Sequence, residues 1–323
     1  MKGSNQTDAP RRRRFDLIGI GECMVEFHSA EPLATASQLQ RAYGGDVLNA
    51  LVTNQRLGGK TGFITAVGDD PFGSGLLAAW RREGVDTSHV LERPGDNGVY
   101  FISVSPDGER AFTYRRHGTP ASQFSPEDID AAYVASSHWL LLSGITQALS
   151  PATRAATLAA ARIAADAGVR IAYDPNYRPR LWALHGGLSA ARAAFDEIVP
   201  FVEWLLPSHP VDAVLLGADE AMEEEMDAAF SVVSRFADRA PNVALKCGAN
   251  GCILAGYGTV HHVPGVRADK VVDTTGAGDC WNGSFLFDLQ RSATPLDAAV
   301  AANRRAAAKL AHRGAIPPAG AIS

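Results

Sequence analysis

The chain has 323 residues, 46% hydrophobic and 20% charged, with a formal net charge of −5. That length gives room for one large α/β domain or two smaller ones with an ample core, and the acidic balance argues against a general nucleic-acid surface. No apolar run reaches the ~18 residues of a membrane span. The four cysteines, Cys23, Cys247, Cys252 and Cys280, form no C-x-x-C pair and read as buried free thiols of a reducing, cytoplasmic setting.

Residues 1–14 read as a disordered tail: 1–10 are polar and 11–14 are four arginines, with no apolar core of a secretory signal. An anionic partner for the arginines is the alternative. Residues 15–27 read as a strand that begins buried and becomes alternating. Gly19 and Gly21 there invite a dinucleotide fingerprint, but Met24 holds the place of the third glycine and no long helix follows at once. Gly44-Gly45-Asp46 opens a helix to about residue 57, in which Asp46 and Asn49 present hydrogen-bonding groups one turn apart; a plainly capped helix is the alternative. Gly58-Gly-Lys-Thr61 looks like the end of a Walker motif, yet Asn54 stands where the first glycine is required, so it reads as a helix C-terminal turn.

Residues 61–67 read as a strand and 74–83 as a helix ended by Gly84. Residues 99–104 and 110–116 are extended and joined by turn chemistry at 105–109, which makes a two-stranded flap. Tyr100, Tyr114 and Arg116 fall either on its ligand-facing side or on the surface. From residue 131 strands and helices alternate. Residues 138–142, 169–173, 201–206 and 243–246 are strands. Residues 150–167, capped by Ser150, an Ala/Glu-rich stretch after 206, and 295–312 are helices. This order implies a parallel sheet covered on both faces, with ligands at the carboxyl ends of its strands. Cys247, Cys252, His261 and His262 lack the spacing of a zinc site, and no metal ligands are expected.

Residues 270–272 read as an extended segment, 274–278 as a tight turn and 279 onward as a helix. Gly276 and Gly278 leave N–H groups uncovered at the positive end of that helix, which makes an anion site. Asp279, in the same first turn, is placed to take a proton from an attacking hydroxyl. An anion cradle beside a base suits phosphoryl transfer to an alcohol; for Gly-x-Gly-Asp alone, an ordinary strand–turn–helix connection is the alternative.

The whole run Asp273-Thr-Thr-Gly-Ala-Gly-Asp279 resembles the C-terminal signature of the ribokinase-like carbohydrate kinases, and Gly44-Gly-Asp-x-x-Asn49 their N-terminal one. Gly21-Glu-Cys-Met24, Leu142-Ser-Gly-Ile145, Asp174-x-Asn-Tyr-Arg-Pro-Arg-Leu-Trp182 and Arg313-Gly-Ala-Ile316 resemble blocks of the branch that acts on 2-keto-3-deoxygluconate. The resemblance covers residues 15–317. It implies a single α/β domain over 15–323, a three-layer sandwich with a mainly parallel central sheet, and a small β lid from segments near 22–43 and 96–118. It also implies ATP-dependent phosphorylation of the 6-hydroxyl of a small-molecule keto-deoxy sugar acid, with Mg2+ on the nucleotide, no nucleic-acid or membrane partner, and a homo-oligomer.

By the same resemblance Asp279 is the base, and Gly276, Ala277 and Gly278 hold the transferring phosphoryl. Gly44, Gly45, Asp46 and Asn49 line the sugar pocket, and Tyr100 and Tyr114 reach in from the flap. Arg116 and Arg178 bind the acidic end of the substrate, as guanidinium forks do, whereas a neutral sugar would leave two buried arginines unpaired. Asn176, Arg178, Lys246, Gly248, Gly251, Gly276, Gly278 and Asn303 fall on the nucleotide side. One departure stands out: the family's usual Asn-x-x-Glu reads Ser208-His-Pro-Val211 here, so the glutamate's role with a hydrated metal is moved to Asp212 or lost. The alternatives are a kinase of a neutral sugar of the fructokinase or ribokinase type, a non-catalytic sugar or nucleotide sensor, and an oxidoreductase binding nicotinamide at Gly19–Gly21.

Overall fold

The apolar run that begins at Phe15 becomes β1 (Phe15–Ile20), an interior strand third from one edge of a nine-stranded sheet. The computed structural model describes residues 13–29, 31–104, 110–217, 225–256 and 258–322. After β1 the chain bends at 21–23 and becomes extended again as β2 (Met24–His28), in a different sheet. The strand expected over 15–27 is thus two strands. The bend sets the Glu22 carbonyl against Gly45, where a Cβ would come within 1.9 Å of it.

β3 (Gln40–Gly44), α1 (Asp46–Arg56), β4 (Thr61–Gly68), α2 (Gly73–Arg82) and β5 (Val90–Arg93) follow. Next come β6 (Val99–Val104) and β7 (Arg110–Arg115); the turn expected at 105–109 lies outside the described residues. Then α3 (Ala131–Ala135), β8 (Ser137–Ser143), α4 (Gly144–Leu149), α5 (Pro151–Asp166) and β9 (Arg170–Asp174) lead to α6 (Pro179–Trp182) and α7 (Gly187–Ile198). The chain closes through β10 (Trp204–Leu205), α8 (Met226–Ala237), β11 (Asn242–Lys246), β12 (Cys252–Gly256), β13 (Thr259–Val263), α9 (Ala277–Gln290) and α10 (Pro295–Lys309).

The large sheet runs β13-β12-β11-β10-β9-β8-β1-β4-β5. From β11 to β5 every neighbouring pair is parallel. β12 and β13 are antiparallel because hairpins, not crossover helices, join them to β11. That hairpin pair and α4 are absent from the sequence expectation. β10 is shorter than the expected 201–206: Pro200 sits in a 3-10 turn that takes in Phe201, and Pro207, lacking an N–H, follows after one intervening residue. α10 stops at Lys309 instead of 312; the Leu310 carbonyl turns to accept from Val272 and Asp273.

Alternate side chains of each parallel strand enter opposite cores. Leu140 and Leu142 pack with α5, α7 and α8, whereas Trp139 and Leu141 pack with α1, α2, α9 and α10. The fold is therefore α/β, with helices on both sides of a mainly parallel sheet. A separate four-stranded sheet, β3-β2-β6-β7, stands over the strand ends.

Gly19 and Gly21 serve this packing. A Cβ on either would lie 2.4 or 2.9 Å from Val47, so they let α1 settle on β1, and that accounts for them without a dinucleotide. Gly283 does the same between α9 and α1, since its Cβ would stand 2.2 Å from the Ala50 carbonyl. Gly283→Ala is expected to cost about 1–3 kcal/mol by overpacking, seen as a lower melting temperature.

Residues 1–12 of the expected tail lie outside the described residues, but Arg13 and Arg14 are held. Arg13 donates to the carbonyls of Ser137, Ala167 and Gly168, and Arg14 pairs with Asp86 at 2.8 Å. These two arginines thus have acceptors within the fold. Among the described residues no helix is long and apolar enough to cross a membrane.

Candidate active site

The turn into α9 is shaped by Gly276, whose φ of +74° is left-handed and whose Cβ would stand 2.7 Å from the Ala315 carbonyl. Upstream, Asp273 accepts the N–H of Thr275 at 2.9 Å and that of Gly314 at 2.8 Å, which ties the turn to the chain after α10. Helix geometry leaves the first N–H groups of α9 without intrahelical acceptors. Among the described residues the N–H groups of Thr274, Gly276, Gly278 and Asp279 have none, whereas Ala277 donates to the Thr274 carbonyl at 3.2 Å. The cradle expected from Gly276, Ala277 and Gly278 is therefore shifted: Ala277 is engaged in the turn, and Asp279 adds its own N–H. Beyond its chain neighbours and its own helix, no atom lies within 4 Å of where a Gly278 Cβ would be, and Gly278 borders the cleft.

Asp279 is half-buried, and its carboxylate accepts from Asn49 Nδ2 of α1 at 2.8 Å. Burial and the nearby Asp46 carboxylate push it up to about 7, against the pull of the Asn49 bond and Lys246. Asp46 is pushed up by burial as well, while Ser143 and Val47 donate to it and oppose that shift. Asn176, bent by an Asx turn on Asp174, donates its amide to Asp46 at 3.2 Å. Behind them Asp174 accepts from Lys246 Nζ and Asn282 Nδ2, both at 2.6 Å, and Lys246 also reaches Asn282 Oδ1 at 3.0 Å. This buried triad ties β9, β11 and α9 together at the carboxyl end of the sheet. Asn49→Ala removes the bond that favours ionised Asp279. The acid limb of a kcat/KM profile should then move up by about one pH unit.

Across the cleft, Tyr100 of β6 donates to Glu26 of β2 and stacks on Tyr114 of β7 at 5.9 Å between centroids. The Arg116 guanidinium lies 5.4 Å from the Tyr114 ring and pairs with Glu22, which is 2% exposed. Burial, with Arg178 nearby, lowers Arg116 to about 10. Arg178 precedes α6 and is exposed, and among the described residues it makes no ion pair. Of the two arginines expected at the acidic end of the substrate, Arg116 is buried and pairs with Glu22, whereas Arg178 is open to the cleft.

The cleft encloses about 1720 Å³ and brings together Gly44, Gly45, Asp46, Asn49, Tyr100, Tyr114, Arg116, Asn176, Arg178, Lys246, Gly276, Ala277, Gly278 and Asp279. Gly248, Gly251 and Asn303 do not border it. Gly251 is needed for packing, since its Cβ would stand 2.2 Å from the Val263 carbonyl, and Gly248 shapes the same turn with a φ of +57°. Asn303 is buried and bonds to Trp281, Val263 and Pro264, so both ends of its amide are engaged. Asp212 does not border the cleft either. It is fully buried, pushed up to about 6 by burial and Asp174, and accepts the N–H groups of Tyr177 and Ser208. It does not take the place of a cleft glutamate.

Sequence reasoning assigned no role to Glu22, Glu26, Ser143, Asp174 or Asn282. Glu22, Ser143 and Asp174 stand in the matched blocks, but their partners are far away in the chain. Among the described residues no group of three or more His, Cys, Asp or Glu side chains is placed to hold a metal ion. His262 instead bonds to the Asn250 carbonyl at 2.7 Å.

Comparison with known proteins follows the same lines. The pfkB family carbohydrate kinase pattern matches residues 15–321. The chain is 31% identical to the 2-dehydro-3-deoxygluconokinase of Dickeya dadantii over 93% of this chain and 96% of that one. It is 29% identical to probable fructokinase-5 of Arabidopsis thaliana over 93% of each. The crystal structure of 2-dehydro-3-deoxygluconokinase from Thermotoga maritima superposes with a TM-score of 0.82 at 20% identity, over 94% of this chain and 95% of that one.

Proposed function

The chain belongs to the pfkB family of carbohydrate kinases, and from that premise we propose that it phosphorylates the terminal 6-hydroxyl of 2-keto-3-deoxygluconate with ATP. The observation that carries the substrate reading is Arg178, an exposed guanidinium lining the cleft with no ion pair among the described residues. A carboxylate on the substrate satisfies it bidentately. Likeness to a 2-dehydro-3-deoxygluconokinase supports the same reading. Likeness to a fructokinase favours a second one, a neutral-sugar kinase, in which Arg178 has no substrate charge to meet.

In the proposed reaction Asp279 takes the proton of the 6-hydroxyl as that oxygen attacks the γ-phosphorus and the bond to the leaving ADP breaks. The N–H groups of Gly276, Gly278 and Asp279 meet the charge on the transferring oxygens. Preorganised donors of this kind are typically worth about 2.7–4 kcal/mol each in the transition state. Asn49 holds the Asp279 carboxylate, and Asp46 faces the sugar. The small sheet, through Tyr100, Tyr114 and Arg116, acts as a lid that excludes water from the transfer.

A magnesium ion carried by the nucleotide would supply charge neutralisation at its phosphates. The donor set fits an ion held chiefly by phosphate oxygens and water, because Asp174 and Asp212 are closed by protein donors. The position of the new phosphate tests the proposal. NMR of the product from 2-keto-3-deoxygluconate should show phosphorus coupled to the C6 protons, and an analogue lacking the 6-hydroxyl should remain unphosphorylated. Phosphate at another carbon, or turnover of that analogue, overturns it.

A further inference from the structure

Lys309, at the end of α10, is 0% exposed. Its ammonium donates to the main-chain carbonyl of Asp273 at 2.8 Å. Removing a cation from water altogether is costly, and the nearby Asp273 carboxylate, which Lys309 helps to keep ionised, offsets part of that cost. The contact falls on the residue that opens the anion cradle. Within a trans peptide unit the C=O and the following N–H point in opposite directions. With the Asp273 carbonyl directed at Lys309, the N–H of Thr274 is directed away from it, and Thr274 borders the cleft. That N–H has no acceptor among the described residues. The Asp273 carboxylate meanwhile fixes the next unit through Thr275 and anchors the turn to Gly314.

We propose that Lys309 is a positioning residue for phosphoryl transfer: its buried ammonium holds the Asp273–Thr274 peptide plane so that the Thr274 N–H joins those of Gly276, Gly278 and Asp279 as a phosphate donor. The inference rests on the kinase reading of the cradle but not on the identity of the sugar. Lys309 acts through the backbone and touches no substrate. Its loss is therefore felt at the phosphate and not at the sugar.

The test uses Lys309→Met and Lys309→Ala in the full chain, with two readouts. One is the rise in melting temperature on adding inorganic tripolyphosphate. The other is kcat with whichever sugar the native protein turns over best. The Met variant is expected to lose most of the tripolyphosphate shift and at least 30-fold in kcat, with the sugar KM within threefold of native. In the Ala variant, ammonium chloride is expected to restore kcat at least fivefold relative to sodium chloride of equal ionic strength, because ammonium refills the cationic site. A Met variant that keeps its tripolyphosphate shift and its kcat within threefold overturns the proposal. So does ammonium that raises the melting temperature of the Ala variant without raising kcat, which is the signature of a merely structural lysine. If the Met variant does not fold, the ammonium arm decides. If the native protein phosphorylates no sugar, the proposed function fails while the tripolyphosphate arm still judges Lys309.

Discussion

Asp279→Asn is expected to lower kcat by about 10²- to 10⁴-fold, the usual worth of a general base, while the KM for the sugar stays within a few-fold. The amide keeps the size of the carboxylate and still accepts the Asn49 bond, so the cleft is preserved and only the proton acceptor is lost. Two pH effects accompany it. Native Asp279 is pushed up to about 7 by burial and Asp46, so kcat/KM should fall as pH drops below about 7 and the base becomes protonated. The stability effect has the opposite sense. A carboxyl whose folded value lies above its unfolded one, about 3.9, contributes stability at low pH that is lost as pH rises through the folded value. The neutral Asn variant should therefore melt at an equal or higher temperature than the native protein at pH 8, and the gap should be clearly smaller at pH 5, closing fully only below the unfolded value. Steady-state ADP release and thermal melts at both pH values check the two halves. Near-normal turnover removes Asp279 from the role of base.

The second large effect is expected at Arg178. Arg178→Ala should raise the KM for 2-keto-3-deoxygluconate by about 10- to 100-fold, the worth of charge-assisted hydrogen bonds to a carboxylate, and leave any neutral sugar unaffected. Arg116→Ala is not an equivalent experiment. Glu22 is 2% exposed and pairs with Arg116, so the truncation leaves a buried carboxylate uncompensated, at a cost of about 3–5 kcal/mol of stability. Arg116→Ala alone should therefore lower the melting temperature together with affinity. Adding Glu22→Gln should recover the melt but not the affinity. Equal effects of Arg178→Ala on acidic and neutral sugars would remove the acid-binding role.

Much of the architecture was legible because it is written in local chemistry. Ser150-Pro151 caps α5 as read, and parallel strands buried on both faces appear as apolar runs. The turn at Gly276 and the acid at Asp279 were readable for the same reason: a left-handed turn, a helix start and a carboxylate lie within four residues. What escaped depends on partners far away in the chain. β1 and β2 look like one strand until the chain switches sheets at Gly21. β12 and β13 form a hairpin where alternation with helices predicts a crossover. Glu22 meets Arg116, Asp174 meets Lys246 and Asn282, and Lys309 meets Asp273; none of these pairs has a spacing signature. Gly251 and Asn303 show the reverse case. Both lie in segments that resemble a nucleotide site, yet each is accounted for by packing or internal hydrogen bonds.

Whether this cleft prefers an acidic sugar is decided by kcat/KM for ATP-to-ADP turnover across a matched panel. With 2-keto-3-deoxygluconate, fructose and ribose under identical conditions, kcat/KM is expected to be at least about 10-fold higher for the acid, in line with one charge-assisted contact, and the preference to disappear in Arg178→Ala. A native protein that turns over fructose or ribose as well as the acid, or better, contradicts it.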